Sequence, residues 1–273
     1  MPVTTSADNA VPLGTRCPSL AGLADCVTGQ SVSLEVLRGA EGFKGLVVMF
    51  ICNHCPVVGH LRGAIQTLVE IYEMEGIAFV AIQPDETNMT PMNGAIEMRA
   101  EKDFFGYSFP YCFDGDKQVV SRAFGAVLTP DFFVYDTDLK LVYRGSFDAT
   151  RPANKGMFQP GESLFKEPGV CVGATPDGAH LRAALDALLL GDAAQISKIP
   201  EHPSEGCSIK WLPGKDEPAW SHSEYGGQYY EHHMAWNRRY HRWRLIYDVV
   251  FFFLKFAGFK RPALGNELSP GGL

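Results

Sequence analysis

The apolar run Leu46-Val-Val-Met-Phe-Ile51 leads directly into the motif Cys52-Asn-His-Cys-Pro56. A short, uninterrupted apolar run is typical of a strand that is buried on both faces. After the motif, apolar residues recur at helical spacing and a second apolar run follows: Val57, Leu61, Ile65, Leu68 and Tyr72, then 77–82. The pattern predicts a right-handed strand–helix–strand crossover with both cysteines at the carboxyl end of the first strand, where open α/β sheets place their sites.

Further elements are predicted on the carboxyl side of this unit. Two runs rich in aromatic and β-branched residues, 131–135 and 139–144, flank a short polar turn and predict an antiparallel hairpin. Residues 109–113 are interpreted as a short strand or an extended link. Helices are predicted over 92–105, over 117–124, and over a segment that Thr175-Pro-Asp177 opens and Gly191 ends.

The composition suits one globular domain of ordinary size with extensions. The chain has 273 residues, of which 46% are hydrophobic and 20% charged, so it can bury a sizeable core without disulfides. Residues 149–176 are expected to form a surface loop, and 192–228 either lie over the domain or extend from it. We predict a domain over 1–219, with its core at about 11–191, and a basic, aromatic tail over 220–273.

Charge and cysteine usage narrow the classes of function. A formal net charge of −7 and a pI near 5.6 argue against general nucleic-acid binding, because neutralising phosphates needs clustered Lys and Arg. The N-terminal residues lack the basic and apolar regions of a secretory signal, and no segment offers roughly eighteen uninterrupted apolar residues. We therefore expect a cytoplasmic protein. The seven cysteines are irregularly spaced, unlike the disulfide framework of a small secreted domain.

Several motifs together resemble the thioredoxin-like redoxin family, within the superfamily of alkyl hydroperoxide reductases and thiol-specific antioxidants. The resemblance runs from about Val11 to Trp211. It implies an α/β thioredoxin-like fold with a central mixed sheet flanked by helices, to which this chain adds a C-terminal helical tail. The motifs that carry it are residues 48–56, Phe109-Pro-Tyr111, Thr129-Pro-Asp-Phe-Phe-Val-Tyr-Asp136, Leu141-Val-Tyr-Arg-Gly145, Arg151-Pro-Ala-Asn154, residues 181–189, and Gly206-Cys-Ser-Ile-Lys-Trp211.

The cysteine motif predicts thiol–disulfide exchange. The attacking group is a thiolate, so the site must lower its pKa below the free value of about 8.5. The start of the predicted helix supplies unpaired N–H groups and a positive dipole end, which favour an anion at Cys52. A protonated His54 would add positive charge, and Cys55 can release a mixed disulfide by intramolecular attack. We predict a catalytic Cys52/Cys55 couple tuned by His54, with Cys52 attacking and Cys55 the less exposed thiol.

The resemblance also implies a role for Thr129 and Pro130 in substrate binding. In the family, a cis-proline faces the cysteine motif, and the residue before it offers its backbone N–H and C=O to an extended substrate, which is a small case of β-augmentation. Many family members place a cysteine directly before the Thr-Pro pair, where this chain has Leu128. We expect Thr129 to pair with a disulfide substrate in this way.

Other functions remain open beside the oxidoreductase. A thiol peroxidase with an antioxidant role is the nearest, but peroxiredoxins place Pro and Thr or Ser before their reactive cysteine, where this chain has Val47 to Ile51. A copper or zinc carrier is another, although a zinc site needs a second cysteine pair and copper-binding relatives space their cysteines by three residues. A docking adaptor is the last. We predict no cofactor and no metal ligand set.

The expected partners are a disulfide-containing protein or small molecule and a thiol reductant. The tail stretch 238–261 carries a net charge of +6 among many aromatic residues. Its apolar run, 245–259, is too short to span a bilayer and is interrupted by Asp248 and Lys255. The stretch predicts either peripheral contact with anionic lipid or self-association. Of the remaining cysteines, three are interpreted as apolar fillers and two as exposed thiols or resolving cysteines: Cys17, Cys26 and Cys112, and then Cys171 and Cys207.

Overall fold

The structure is a computed structural model of the chain. It describes residues 3–87, 90–152, 171–191, 196 and 198–212. The tail, including the stretch 238–261, and most of the loop 149–176 lie outside the described residues. Among the described helices, none is both long enough and apolar enough to cross a membrane.

The described residues include twelve strands, some of only two residues, and five α-helices. The strands are β1 (Val3–Thr5), β2 (Leu23–Ala24), β3 (Ser31–Val32), β4 (Gly45–Phe50), β5 (Ile77–Gln83), β6 (Tyr111–Phe113), β7 (Leu128–Thr129), β8 (Asp131–Tyr135), β9 (Leu141–Gly145), β10 (Thr150–Arg151), β11 (Cys171–Val172) and β12 (Glu205–Ser208). The helices are α1 (Leu34–Arg38), α2 (Pro56–Glu73), α3 (Ala95–Phe105), α4 (Val119–Ala123) and α5 (Ala179–Leu190).

A mixed five-stranded sheet lies at the centre, in the order β6-β5-β4-β8-β9. Strands β4, β5 and β6 run parallel, whereas β8 and β9 are antiparallel to their neighbours. This arrangement confirms the predicted crossover from β4 through α2 to β5, and it confirms the β8–β9 hairpin. The sheet is therefore of the mixed kind that the resemblance implies.

Helix α2 begins where the cysteine motif ends. Cys55 is its N-cap residue and Pro56 occupies the first helical position, where a missing N–H costs nothing. The predicted apolar stripe is buried along the helix, from Val57 to Tyr72. The same stripe fixes the direction of α2, because it packs the helix against one face of the sheet.

The side chains of β4 alternate between two hydrophobic clusters, one on each face of the sheet. Val47 and Met49 pack in the cluster that contains the α2 and α5 side chains, together with Cys52 and Cys55. Val48 and Phe50 pack in the opposite cluster, where Phe124 lies edge-on to Phe50. With both faces covered, β4 holds the cysteine motif on the most enclosed strand of the sheet.

The other predicted helices are present with shorter bounds. Helix α3 begins at Ala95 and not at 92, because Pro91–Asn93 forms a 3₁₀ turn. Helix α4 covers only part of 117–124, since Gln118 lies in the left-handed region. Helix α5 ends at a left-handed Gly191 with φ +67°, as predicted.

A second, three-stranded sheet lies beside the cysteine motif, in the order β1-β12-β7. In this order β12 is the central strand, between β1 and β7, and both of its pairings are antiparallel. The described part of 192–228 thus lies over the domain, which was one of the two expectations for this segment. It brings Cys207 to Thr129, next to the motif.

Candidate active site

The two motif cysteines lie at the junction between β4 and α2. Both are thiols, and the side chains of both are fully buried, with 0% exposure. The prediction that Cys55 is the less exposed thiol is therefore wrong. The reason is that the second sheet and the segment before α3 enclose the whole junction, so burial does not distinguish the two positions.

Cys52 lies between a hydroxyl group and an imidazole. Its Sγ is 3.0 Å from Thr129 Oγ1 and 3.4 Å from His54 Nδ1. Burial raises the pKa of the Cys52 thiol well above its ordinary value, and the nearby Cys55 and Asp85 raise it further. Cys52 is therefore protonated in this arrangement.

Cys55 has a different environment. Its Sγ lies 3.2 Å from the Thr129 carbonyl oxygen. Burial opposes ionisation here too, but hydrogen bonds from Cys207, from Cys52 and from the Val58 N–H outweigh it, so the pKa of Cys55 lies well below its ordinary value. The lowered pKa that the sequence predicted for Cys52 thus belongs to Cys55. The reason is that two thiol neighbours, Cys207 and Cys52, favour the Cys55 thiolate, which also lies at the start of α2.

His54 is buried and neutral. The Asn93 side-chain amide donates to His54 Nδ1 at 2.9 Å, so Nδ1 is the acceptor atom of the ring. Its Nε2 is buried and has no hydrogen-bond partner among the described residues. Burial, with Lys210 nearby, lowers the pKa of His54 to about 3. The prediction that a protonated His54 supplies positive charge is wrong at neutral pH, because the ring is buried and its Nδ1 accepts a hydrogen bond from the Asn93 amide.

Asn93 orders the turn of the cysteine motif. Its Oδ1 accepts from the Asn53 N–H at 3.0 Å and from the His54 N–H at 3.2 Å. Its Nδ2 also donates to Asp85 Oδ2 at 2.8 Å, and Asp85 Oδ1 accepts from the Lys210 N–H at 2.7 Å. The network thus connects the motif to the segment that follows β12.

Neither Asn93 nor Asp85 is among the site residues predicted from the sequence. A signal existed for Asp85, because it follows β5 directly, and parallel strands β4 and β5 end at the same edge of the sheet. Asn93 has no comparable signal, since it lies in a 3₁₀ turn whose position depends on tertiary contacts.

A buried ion pair supports the motif from the α3 side. Arg62 on α2 binds Glu101 on α3, with Nε to Oε1 at 3.0 Å and Nη2 to Oε2 at 2.9 Å. The same guanidinium donates to the Asn53 carbonyl at 2.5 Å. The Asn53 side chain accepts from the Tyr111 hydroxyl at 2.8 Å, which gives the Phe109-Pro-Tyr111 motif a contact at the site.

Cys52, His54 and Asp85 have the chemistry of metal ligands. Their ligand atoms lie within 4.8 Å of one another and are buried, a grouping found nowhere else in the described part of the chain. The Asn93 amide, however, donates to His54 Nδ1 and to Asp85 Oδ2, one potential ligand atom of each residue. The arrangement fits a hydrogen-bond network better than a metal centre.

The Thr129–Pro130 peptide bond is cis, as the resemblance implied. The backbone edge at Thr129 is not open, however, because the chain's own strand β12 pairs with it and Cys207 is in register with Thr129. The expectation that Thr129 offers free N–H and C=O groups to a substrate is corrected for this conformation. The cause is the segment around Gly206, which had no strand pattern in the sequence.

The remaining cysteines divide by burial. Cys112 is fully buried, and burial raises its pKa to about 12. Both observations agree with its interpretation as a small apolar residue of the core. Cys17 and Cys26 are partly buried and Cys171 is exposed. Cys207 is buried with 7% exposure, so the expectation of an exposed thiol is wrong for it.

Comparison with known proteins agrees with this architecture. Residues 13–144 match the family model described as AhpC/TSA family. An uncharacterized conserved protein from Geobacillus kaustophilus is 36% identical, with a TM-score of 0.63, and the match covers 79% of this chain and 99% of that one. A hypothetical protein from Sinorhizobium meliloti 1021 is also 36% identical, with a TM-score of 0.61 and coverage of 76% and 98%. Comparison with curated proteins gives no match.

The chain belongs to the thioredoxin-like redoxins of the AhpC/TSA family. Its fold is thioredoxin-like, with a central mixed sheet flanked by helices. The family is one of oxidoreductases.

Proposed function

We propose that this protein is a thiol–disulfide oxidoreductase whose Cys52/Cys55 couple exchanges with a disulfide in a protein or small molecule and is restored by a thiol reductant. The observation that carries the proposal is the convergence of both sulfurs on one residue. Cys52 Sγ lies 3.0 Å from the Thr129 hydroxyl, and Cys55 Sγ lies 3.2 Å from the Thr129 carbonyl. The two sulfurs are also hydrogen-bonded to each other, so they are neighbours in the site.

The unequal pKa values suggest how the two thiols divide the work. The thiolate rests on Cys55, whose pKa is lowered, and Cys52 becomes the attacking thiolate when its proton moves along their hydrogen bond to Cys55, a transfer that costs free energy because Cys52 has the higher pKa. The Cys52 thiolate then attacks one sulfur of the substrate disulfide, and the other substrate sulfur leaves as a thiolate that takes up a proton. Cys55 next attacks Cys52, so the second substrate thiol departs and a Cys52–Cys55 disulfide remains. The substrate is reduced by two electrons and the couple is oxidised by two.

Single substitutions test these roles with an aromatic disulfide as substrate and dithiothreitol as reductant. Cys52→Ser should lower the rate of disulfide reduction by at least about a hundredfold, because the attacking sulfur is lost. Cys55→Ser should accumulate a mixed disulfide at Cys52 and lower the pH at which Cys52 is half alkylated, because the neighbouring Cys55 raises the pKa of Cys52. Cys171→Ser, at an exposed cysteine outside the site, is the matched control.

Two results would contradict the proposal. Activity that survives both Cys52→Ser and Cys55→Ser would place the chemistry elsewhere. Alkylation of Cys55 at neutral pH in Cys52→Ser, with formation of its mixed disulfide, would reverse the order of attack. Consumption of hydrogen peroxide in a single turnover tests the alternative that the protein is a thiol peroxidase. That alternative requires peroxide to be consumed faster than a disulfide is reduced.

A further inference from the structure

Strand β12 occupies the edge of β7 next to the cysteine couple. Cys207 is in register with Thr129, and Ser208 with Leu128. The Ile209 N–H donates to the Val127 carbonyl at 3.1 Å and continues the same pairing. The chain therefore places one of its own cysteines at the backbone position to which the redoxin resemblance assigns a substrate.

Cys207 reaches the couple with its sulfur as well as with its backbone. Its thiol is a hydrogen-bond partner of Cys55, and all three sulfurs lie in one buried cluster. Cys55 therefore has two thiol neighbours, Cys52 and Cys207. A sulfur with two thiol neighbours can form a disulfide with either of them.

Gly206 allows this approach. A Cβ at this position would lie 2.1 Å from the Thr129 carbonyl oxygen and 3.1 Å from Pro130 Cδ. Any larger residue would therefore push β12 away from Thr129. On either side the strand is fixed by hydrogen bonds, from Ser204 Oγ to Asp131 at 2.8 Å and from the Lys210 N–H to Asp85 at 2.7 Å.

We propose that Cys207 is a third redox thiol, which attacks Cys55 in the Cys52–Cys55 disulfide and leaves a Cys55–Cys207 disulfide with Cys52 as a thiol again. The inference rests on the proposed function, because the substrate disulfide supplies the oxidation. In this step one S–S bond breaks and one forms, and the proton that Cys207 loses is taken up by Cys52. The number of disulfides is unchanged.

The order of events follows from the same contacts. In the dithiol state, the hydrogen bond with Cys55 is the largest cause that raises the pKa of Cys207, and burial adds to it. Formation of the Cys52–Cys55 disulfide removes the charge on Cys55 and with it this cause. Cys207 therefore ionises more readily after the couple is oxidised than before, which directs its attack to the oxidised couple.

Mapping of disulfides in the full-length protein tests the proposal. The reduced protein is oxidised with one equivalent of an aromatic disulfide, quenched in acid, alkylated and digested with trypsin. Cleavage after Lys44, Arg62, Lys198 and Lys210 puts both couple cysteines in peptide 45–62 and Cys207 alone in peptide 199–210. We expect these two peptides to be joined through Cys55, with Cys52 alkylated. Cys207→Ser should stop at a disulfide within peptide 45–62.

A glycine pair tests the geometry without removing a thiol. Gly206→Ala should lower the yield of joined peptides by about tenfold or more, because the reacting sulfurs lose their alignment. Gly63→Ala is the matched control, since a Cβ there meets nothing within 4 Å. Circular dichroism of each variant reports whether the domain is folded.

The outcomes separate the two proposals. A wild-type protein with an internal 45–62 disulfide and an alkylated Cys207 would overturn the third thiol and leave the proposed function standing. Peptides joined through Cys52, with Cys55 alkylated, would overturn the assigned attack. If peptide 45–62 is not oxidised at all, the proposed function fails together with this inference.

Discussion

The two segments that meet at Thr129 are held in the domain in different ways. Strand β4, which leads into the Cys52/Cys55 motif, pairs along its whole length with β5 and over Leu46 to Phe50 with β8. Strand β12, which carries Cys207, pairs with β7 at Cys207 and Ser208 and with β1 from Glu205 to Cys207. Pairings as short as those of β12 open at a lower free energy than the long pairings of a central strand such as β4 do. The couple is thus the fixed part of the site, and the third thiol lies on the part that separates most easily.

This difference bears on how a protein substrate could reach Thr129. The couple is fully buried while β12 is in place. Separation of β12 from β7 would free the backbone edge at Thr129, and it would also withdraw Cys207 from Cys55. Substrate pairing and resolution by Cys207 therefore use the same edge in turn. The first substitution below loosens both regions together, and the others loosen one region each.

Asp131→Ala is expected to cause the largest effect, by breaking both regions together. The buried Asp131 carboxylate accepts from Arg144 at 3.0 and 2.9 Å and from the Ser204 hydroxyl at 2.8 Å. Without it, the Arg144 cation is left buried and unpaired from its carboxylate, which costs about 3–5 kcal/mol. Urea denaturation measures the loss. Asp138→Ala, in the exposed hairpin turn, should change stability by less than about 0.5 kcal/mol. Equal effects of the two substitutions would contradict the prediction.

His54 should make the fixed region sensitive to acid. The unfolded chain takes up a proton on this histidine near pH 6.5, whereas burial lowers the pKa in the folded state to about 3. Stability is therefore lost as the pH falls from 6.5 towards 3, by up to about 1.4 kcal/mol per pH unit. His54→Gln removes this titration. The difference in unfolding free energy between wild type and variant should shift by about 3 kcal/mol between pH 7 and pH 4.

A difference that does not depend on pH would show that His54 titrates alike in the folded and unfolded states. The conclusion that the His54 ring is buried and neutral in the folded protein would then be wrong. A shift in the opposite direction would mean that His54 is charged in the folded protein, as the sequence analysis expected.

Asn93→Ala should loosen the cysteine turn and leave β12 in place. It removes the acceptor of two buried N–H groups, those of Asn53 and His54. A buried donor left without a partner costs about 1–3 kcal/mol. We expect a stability loss in this range, with faster amide exchange at residues 53 and 54 than in wild type. Thr67→Ala, at an exposed position of α2, is a suitable control. Unchanged exchange at both amides would refute the role given to Asn93.

The sequence predicted the β4–α2 region well because its signals are local. The apolar run before Cys52, the helical stripe after Pro56 and the second run at Ile77 each identify an element without reference to distant residues. The cysteine positions at the end of β4 follow from that order. What the local pattern could not indicate is the enclosure of the motif, on which the neutral His54 and the raised pKa of Cys52 depend.

The β12 region could not be predicted in the same way. The strand Glu205–Ser208 has no alternating or continuous apolar pattern. Its position depends on pairing with Thr129, far away in the sequence, and on a glycine that permits close approach. Pairing of this kind depends on tertiary contacts, which outweigh local preference in short strands. The resemblance included the Gly206-Cys-Ser-Ile-Lys-Trp211 motif, but motif matching alone does not give its register.

Ser204→Ala should produce the smallest effect, confined to β12. The substitution removes one hydroxyl donor to Asp131, while the backbone bonds of Ser204 to Ser6 remain. Loss of one such bond costs about 1 kcal/mol, so local opening of β12 and alkylation of Cys207 should become about fivefold faster. Ser108→Ala, which removes an exposed hydroxyl bond to Glu73, should leave the alkylation rate unchanged. If amide exchange in β4 accelerates as much as in β12, the two regions open as one unit and the contrast between them does not hold.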